Sequence, residues 1–456
     1  MRLALITPGF SAGDDDWCIP ALLDLVRAIS HEHDVEVFAL RYPPVVGSYE
    51  VGGARVHAIG GGDIAGPRRL ALLRRATRVV EARHRASPFD LLHGLWADEP
   101  GYVATSLARR LGVPSVVSVL GGELVDLPDI GYGGRPSRLN RWLSGQALDR
   151  ADRVTTGSAF LERIVAGQVD VSRLSRPPLR VASGLFRPAV PAFEFAGDPA
   201  LLAVGSLVPV KDHRTLLRAV AIAAQSLPGI HLHLAGDGPE RETLMLAASA
   251  LGISSRVTFH GAVPHERLPT LYRSATFCVL SSRYESQSLV LLEAAACGRA
   301  TVGTAVGLLP ELLAADCLAV PDDDDSLARG IVALATDPAR RAATERRLGA
   351  VVVQGFTVAH TASGFERLYR DLARPATLHQ QVAARRCGDG DARCKPGGDR
   401  PLGAVAGDER DRDDDQRPGP QRAGQHQQPR PLDRIGQQER GGAQQVEQGD
   451  HQQNLK

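Results

Sequence analysis

The residues best placed to do chemistry lie in the second half of this 456-residue sequence. Ala203-Val-Gly205-Ser206-Leu-Val-Pro-Val-Lys211-Asp-His reads as a strand, a glycine turn and a lysine at the mouth of a helix. Leu234-Ala-Gly-Asp-Gly-Pro239-Glu repeats that plan, with a proline near the helix start. Ser281-Ser-Arg-Tyr-Glu285-Ser-Gln-Ser288-Leu289-Val-Leu-Leu-Glu293 then sets two carboxylates around a third helix start. A helix N-terminus offers free N–H groups and a positive dipole end to a phosphate. Lysine adds a compact point charge, and carboxylates accept hydrogen bonds from hydroxyls. Together these groups suit a molecule carrying both a diphosphate and hydroxyls, which describes a nucleotide sugar. Lys211 is also the only lysine before residue 395 in a chain that otherwise uses arginine.

Such loops do their work only where strand ends converge, and doubly wound parallel sheets bind ligands at the carboxyl ends of their strands. The sequence carries that frame twice. Leu3–Thr7, Val35–Leu40, Leu91–His93, Ser115–Val119 and Arg153–Thr156 read as buried strands, with helices at Ile19–His31, Gly101–Leu111 and Ser137–Asp149. Prolines 177, 178, 188 and 191 break the pattern across Ser175–Ala196. It restarts with strands at Leu201–Val204, Ile230–Ala235, Arg256–Phe259, Thr276–Leu280 and Thr301–Val302. Helices are expected at Lys211–Ser226, Glu240–Leu251, Leu289–Cys297 and Ser326–Thr336. The expected organisation is an α/β unit over 1–190, a second over 191–375 and a tail over 376–456. The tail has no Phe, Tyr or Trp and is rich in Gln, Arg, Asp, Gly and Pro, a composition that reads as disordered.

The span from about Leu201 to Leu313 resembles the donor half of retaining GT-B glycosyltransferases of family 4, group 1 type. The family's two glutamates separated by seven residues are matched by Glu285 and Glu293. The glycine–lysine element, the Gly-Asp-Gly-Pro turn and Gly307-Leu-Leu-Pro-Glu311 are similar in the same order. The resemblance covers roughly residues 1–373 and is looser in the first half. It implies two Rossmann-like domains facing a cleft, and transfer of a hexose-type sugar from a UDP- or GDP-linked donor to a hydroxyl acceptor with retention. No cofactor or metal is implied, so the acidic run at 14–16 need not bind one. By resemblance, Glu293 holds the ribose, Glu285 orients the donor sugar, and Ser288 and Leu289 offer backbone N–H groups to the diphosphate. Lys211 neutralises the leaving group, with Gly205 and Ser206 forming the first donor loop. The acceptor falls to the N-terminal half, where Gly9, His93 and Glu123 are the candidates. Two positions depart from the family: Ser206 stands where many members have arginine, and Leu120 where many have histidine.

Composition narrows the field. A net charge of +1 and 5% aromatics oppose a nucleic-acid partner. None of the six cysteines forms a Cys-x-x-Cys pair, which suits free thiols in a reducing cytosol. The N-terminal apolar run is too short for a signal peptide, and no window of about 18 apolar residues spans a membrane. A cytoplasmic protein is expected. Residues 67–86, with Arg68, Arg69, Arg74, Arg75, Arg78, Arg83 and Arg85, form a basic amphipathic helix. Peripheral attachment to anionic lipid at the inner membrane face is its sharper reading, and it suits a lipid-linked acceptor. A solvated helix face is the plainer reading and is favoured.

Other functions fit less well. No Gly-x-Gly-x-x-Gly opens a helix as a dinucleotide dehydrogenase requires. An epimerase or phosphorylase on the same scaffold is disfavoured by the Glu285/Glu293 pattern. A catalytically inactive sugar-nucleotide-binding protein is the alternative that the Ser206 and Leu120 departures keep open.

Overall fold

In the computed structural model, the described residues are 1–373 except Asp15 and Trp17; the tail expected at 376–456 lies outside them. The first sheet has eight strands in the order β3-β4-β2-β1-β5-β6-β7-β8. They are β1 (Arg2–Gly9), β2 (Asp34–Tyr42), β3 (Gly47–Val51), β4 (Ala54–Ala58), β5 (Leu91–Leu95), β6 (Ser115–Ser118), β7 (Arg153–Thr155) and β8 (Leu174–Ser175). All pairs are parallel except the β3–β4 hairpin at the edge. The second sheet runs β11-β10-β9-β12-β13-β14 and is parallel throughout. Its strands are β9 (Ala200–Val204), β10 (His231–Ala235), β11 (Val257–Gly261), β12 (Phe277–Leu280), β13 (Thr301–Thr304) and β14 (Leu318–Ala319).

Both sheets reverse their strand order once, between β1 and β5 and between β9 and β12. A crevice opens at the carboxyl ends of such neighbours. The central strands are apolar end to end because helices cover both faces, as in Leu3–Ile6 and Leu201–Ala203, all buried.

Sequence periodicity located most helices within a few residues: Pro20–Ile29, Glu99–Leu111, Arg138–Arg150, His213–Ala223, Arg241–Ala250, Leu289–Ala296 and Asp324–Thr336. The basic stretch forms a helix at Arg68–Ala86 that buries Leu72, Leu73, Ala76 and Val80. Leu70, on the same helix, is exposed.

One assignment needs revision. Helix Val358–Ala373 falls in the second unit by sequence position, yet it packs against helix Pro20–Ile29 of the first. Its Ala362, Phe365, Leu368 and Tyr369 join the core around Leu3, Leu5, Leu22 and Val37. Burial of that stripe at helical spacing outweighs proximity in the chain. Val181 and Thr357 form a bridge where the chain leaves the first unit and returns to it.

Candidate active site

The donor-side loops assemble at the carboxyl ends of β9, β10 and β12. Gly205 and Ser206 follow β9, and a short turn, Pro209–Lys211, delivers the lysine. Asp212 has φ 48° and caps the helix His213–Ala223 by accepting from the Thr215 N–H. The ring of His213 is buried, which lowers its pKa to about 4 and leaves it neutral beside Lys211. The next loop packs closely, since a Cβ on Gly236 would run into the Gly205 carbonyl oxygen.

Lys211 Nζ lies 2.6 Å from Glu285 Oε1, and Ser282 Oγ donates to the same oxygen at 2.7 Å. Ser281 Oγ donates to the Lys211 carbonyl at 2.8 Å, tying the two loops together. Lys211 and Glu285 retain 27% and 13% side-chain exposure, so the pair faces the crevice and is not sealed inside. Ser288 takes φ 82° where helix Leu289–Ala296 begins, and its Oγ is buried without a hydrogen-bond partner. Gly307, at φ +58°, lies against it; a Cβ there would collide with Ser288 Oγ and the Gln287 carbonyl. The strained serine thus holds the helix start open toward the site.

Further along that helix, Glu293 Oε2 accepts from Tyr272 at 2.7 Å, and His265 Nε2 lies 3.4 Å from Oε1. Burial raises the Tyr272 hydroxyl well above its ordinary pKa, with the Glu293 charge adding to it, so it stays a donor. Across the crevice, burial raises the Asp24 carboxyl on helix Pro20–Ile29, and the Glu293 charge contributes to that rise.

The acceptor-side candidates behave differently. Gly9 is buried at the end of β1, where the register with β2 shifts, and its carbonyl accepts from Thr7 Oγ1 at 2.9 Å. His93 is fully buried, its ring nitrogens 2.8 Å from Tyr369 Oη and 2.7 Å from Ser118 Oγ. Desolvation pushes its pKa down to about 3, so the ring is neutral. It is a core histidine within the sheet and does not face the crevice. Glu123 is also buried; its carboxylate accepts from the N–H groups of Ala97, Leu120 and Gly121. It braces two loops and is not open to a ligand.

The groups that sequence reasoning missed sit beside these. Asp98 follows β5, and burial, then the charges of Glu123 and Glu99, push its pKa up to about 7. Trp96, which directly follows β5, adopts φ 80°. Ser282 and Tyr272 escaped notice, although Ser282 lies inside the serine–glutamate run already singled out. Tyr284 Oη donates to the Gly121 carbonyl at 2.9 Å, and Ser286 Oγ to the Leu120 carbonyl at 2.6 Å. The loop that carries Glu285 therefore also joins the two units. Among the described residues no group of acidic, histidine or cysteine side chains has a metal-holding arrangement.

Known proteins share this plan. Residues 191–348 match the model for glycosyl transferases group 1, and residues 19–181 match the glycosyl transferase 4-like domain. The D-inositol 3-phosphate glycosyltransferase of Frankia alni is 33% identical over 332 residues, 66% of this chain and 78% of that protein. Its counterpart in Segniliparus rotundus is 30% identical over 323 residues, 66% and 70% of the two chains. Among solved structures, sucrose-phosphate synthase from Thermosynechococcus elongatus superposes with a TM-score of 0.67 at 23% identity, covering 82% of this chain and 99% of that one. HepE from Anabaena, solved with UDP and glucose, gives 0.64 at 18% identity, covering 82% and 100%.

Proposed function

The chain belongs to the group 1 glycosyltransferases, and from that premise we propose that it moves a hexose-type sugar from a UDP- or GDP-linked donor to a hydroxyl acceptor, with retention and without a metal. The observation that carries this reading is the cluster of Lys211 Nζ, Glu285 and the open helix start at Ser288. An ammonium beside a helix N-terminus supplies positive charge where a leaving diphosphate gathers negative charge, which lowers the barrier electrostatically. Lys211 takes the part that a divalent cation plays elsewhere. Glu285, already fixed by Lys211 and Ser282, is set to accept from hydroxyls of the donor sugar. Glu293, held by Tyr272 at Oε2 and by His265 at Oε1, keeps lone pairs to accept from the ribose hydroxyls. The Ser288 and Leu289 N–H groups take the diphosphate. Gly205 and Ser206 shape the floor of the loop and contribute no charge.

On the acceptor side, Asp98 keeps partial exposure at the helix start after β5 and makes no cap bond there, so it takes over from the buried His93 and Glu123 as the group proposed to position a hydroxyl. The relatives named above act on an inositol phosphate, which favours a small polyol acceptor. The basic helix offers a second, lipid-linked possibility. Arg68, Arg74, Arg75 and Arg78 are exposed, as are Leu70, Val45 and Val46. Arg69 of the same helix pairs with Glu99 at 2.6 Å, next to Asp98, so the helix starts at the acceptor side of the crevice. No helix of the described residues is long and apolar enough to cross a membrane. Co-sedimentation with anionic vesicles at low salt tests that contact; no binding ends it.

Calorimetric titration of the full chain with UDP and GDP, with and without EDTA, tests the donor site. Binding of one nucleotide that survives EDTA and weakens at least tenfold in Glu293→Ala supports it. Absence of binding by both nucleotides to a folded protein overturns it. Retention is read from the anomeric configuration of the product by NMR.

A further inference from the structure

We propose that the second unit carries an anion-binding pocket, separate from the donor crevice, for a phosphate-bearing small molecule. A cavity of about 370 Å³ lies at the amino ends of β12 and β13, the opposite edge of the sheet from Lys211 and Glu285. Its lining includes Arg273, Arg299, Arg341, Ser274, Thr276 and Glu345. Three guanidinium groups thus face one carboxylate.

The bonds those arginines make are to neutral backbone. Arg273 Nε donates to the Arg187 carbonyl at 2.8 Å, Arg299 to the Arg273 carbonyl, and Arg341 to the Leu334 carbonyl at 3.3 Å. Arg299 Nε is buried with no partner. Glu345 offsets only part of the charge, and its own burial raises its pKa despite Arg299 and Arg341. Guanidinium groups are weakly hydrated forks that pair bidentately with phosphate oxygens. Pro338, Arg341 and Ala342 place the start of helix Pro338–Gly355 on the same cavity, adding its positive dipole end. Ser274 and Thr276 supply hydroxyls for the rest of the molecule, and the volume leaves room for more than a bare phosphate.

The pocket is also wired to the donor side. Arg273 directly follows Tyr272, which holds Glu293, and Arg299 follows the helix that carries Glu293. A ligand gripping both arginines therefore sits on the two elements that position the expected ribose contact.

Calorimetric titration of the full chain with inorganic pyrophosphate and with glucose 6-phosphate, against sodium chloride of matched ionic strength, tests the pocket. At least one probe is expected to show a binding component that weakens tenfold or more in Arg341→Gln and persists in Lys211→Ala, whatever part of pyrophosphate binding the donor crevice takes. Whichever probe binds more tightly tells a bare diphosphate from a sugar phosphate. The half-buried Arg341 lies on a surface helix, so its variant should keep its melting temperature. Loss of binding only in Lys211→Ala would assign the anion to the donor crevice and overturn the proposal. Equal affinity in Arg341→Gln, or no binding of either probe to folded protein, would also overturn it. Nucleotide binding is measured separately, so failure of the pocket and failure of the donor-site reading are distinguishable.

Discussion

The two sheets share one plan yet treat their polar groups in opposite ways. At the ends of β9 and β12, Lys211 and Glu285 stay partly exposed and meet each other. Beyond β6, Glu123 turns inward to hold three backbone N–H groups, and within β5 His93 is locked between Tyr369 and Ser118. The first arrangement keeps charge available to an incoming ligand. The second uses charge and ring nitrogens to fix loop shape. A polar residue at a strand end is therefore a ligand group only if the backbone around it has its own partners.

The sharpest way to break this contrast is Lys211→Ala. Removing one electrostatic donor of this kind costs about 10²–10³-fold in kcat, with little change in melting temperature because the side chain is partly exposed. A large loss of stability with unchanged turnover would place Lys211 among the structural groups. Glu123→Ala should do the reverse. It strands three buried N–H groups, and stability should fall by about 3 kcal/mol or more, while nucleotide affinity stays within twofold. Thermal melts paired with titration separate the two cases.

Asp98 sharpens the comparison through pH. Its folded pKa of about 7 lies above the ordinary aspartate value, so the folded state binds the proton more tightly than the unfolded chain. That contribution is complete below about pH 4 and is lost as pH rises through 7. Stability carried by this group should fall by on the order of 2 kcal/mol between pH 5 and 8. Asp98→Asn should flatten that slope, and a slope identical to wild type would show that the carboxyl is not held in a dry site. The smallest effect is expected from Tyr272→Phe. Loss of one hydroxyl bound to Glu293 should weaken nucleotide binding about five- to tenfold, equivalent to roughly 1 kcal/mol, with the core packing kept.

What the sequence made legible was local. Gly205, Lys211, Glu285, Ser288 and Glu293 lie on short strand–turn–helix segments whose spacing decides what meets what. His93 was ambiguous because a histidine on a central parallel strand looks the same whether it ends at the crevice or between helices. Only the remote Tyr369 and Ser118 settle it. Glu123 misled for the same reason, since its partners are backbone groups that leave no trace in residue type. The hairpin of β3 and β4 was overlooked although Gly52 and Gly53, at φ +61° and +80°, have the pair of left-handed residues such a tight turn needs. Helix Val358–Ala373 could not be assigned to its sheet, because a stripe of apolar residues says that it packs but not on what.

The return of that helix to the first sheet has a further meaning. Residues from about 182 to 356 form an insertion in one loop of the N-terminal fold, entered and left side by side at Val181 and Thr357. The inserted lobe is rooted at two adjacent chain crossings and is held again at its mouth by the bonds of Tyr284 and Ser286 to the first lobe. For the same reason the first 190 residues are not a free-standing piece. Cut there, they would lose Phe365 and Tyr369 from their interior, and residues 358–373 supplied in trans should rescue what the cut removes.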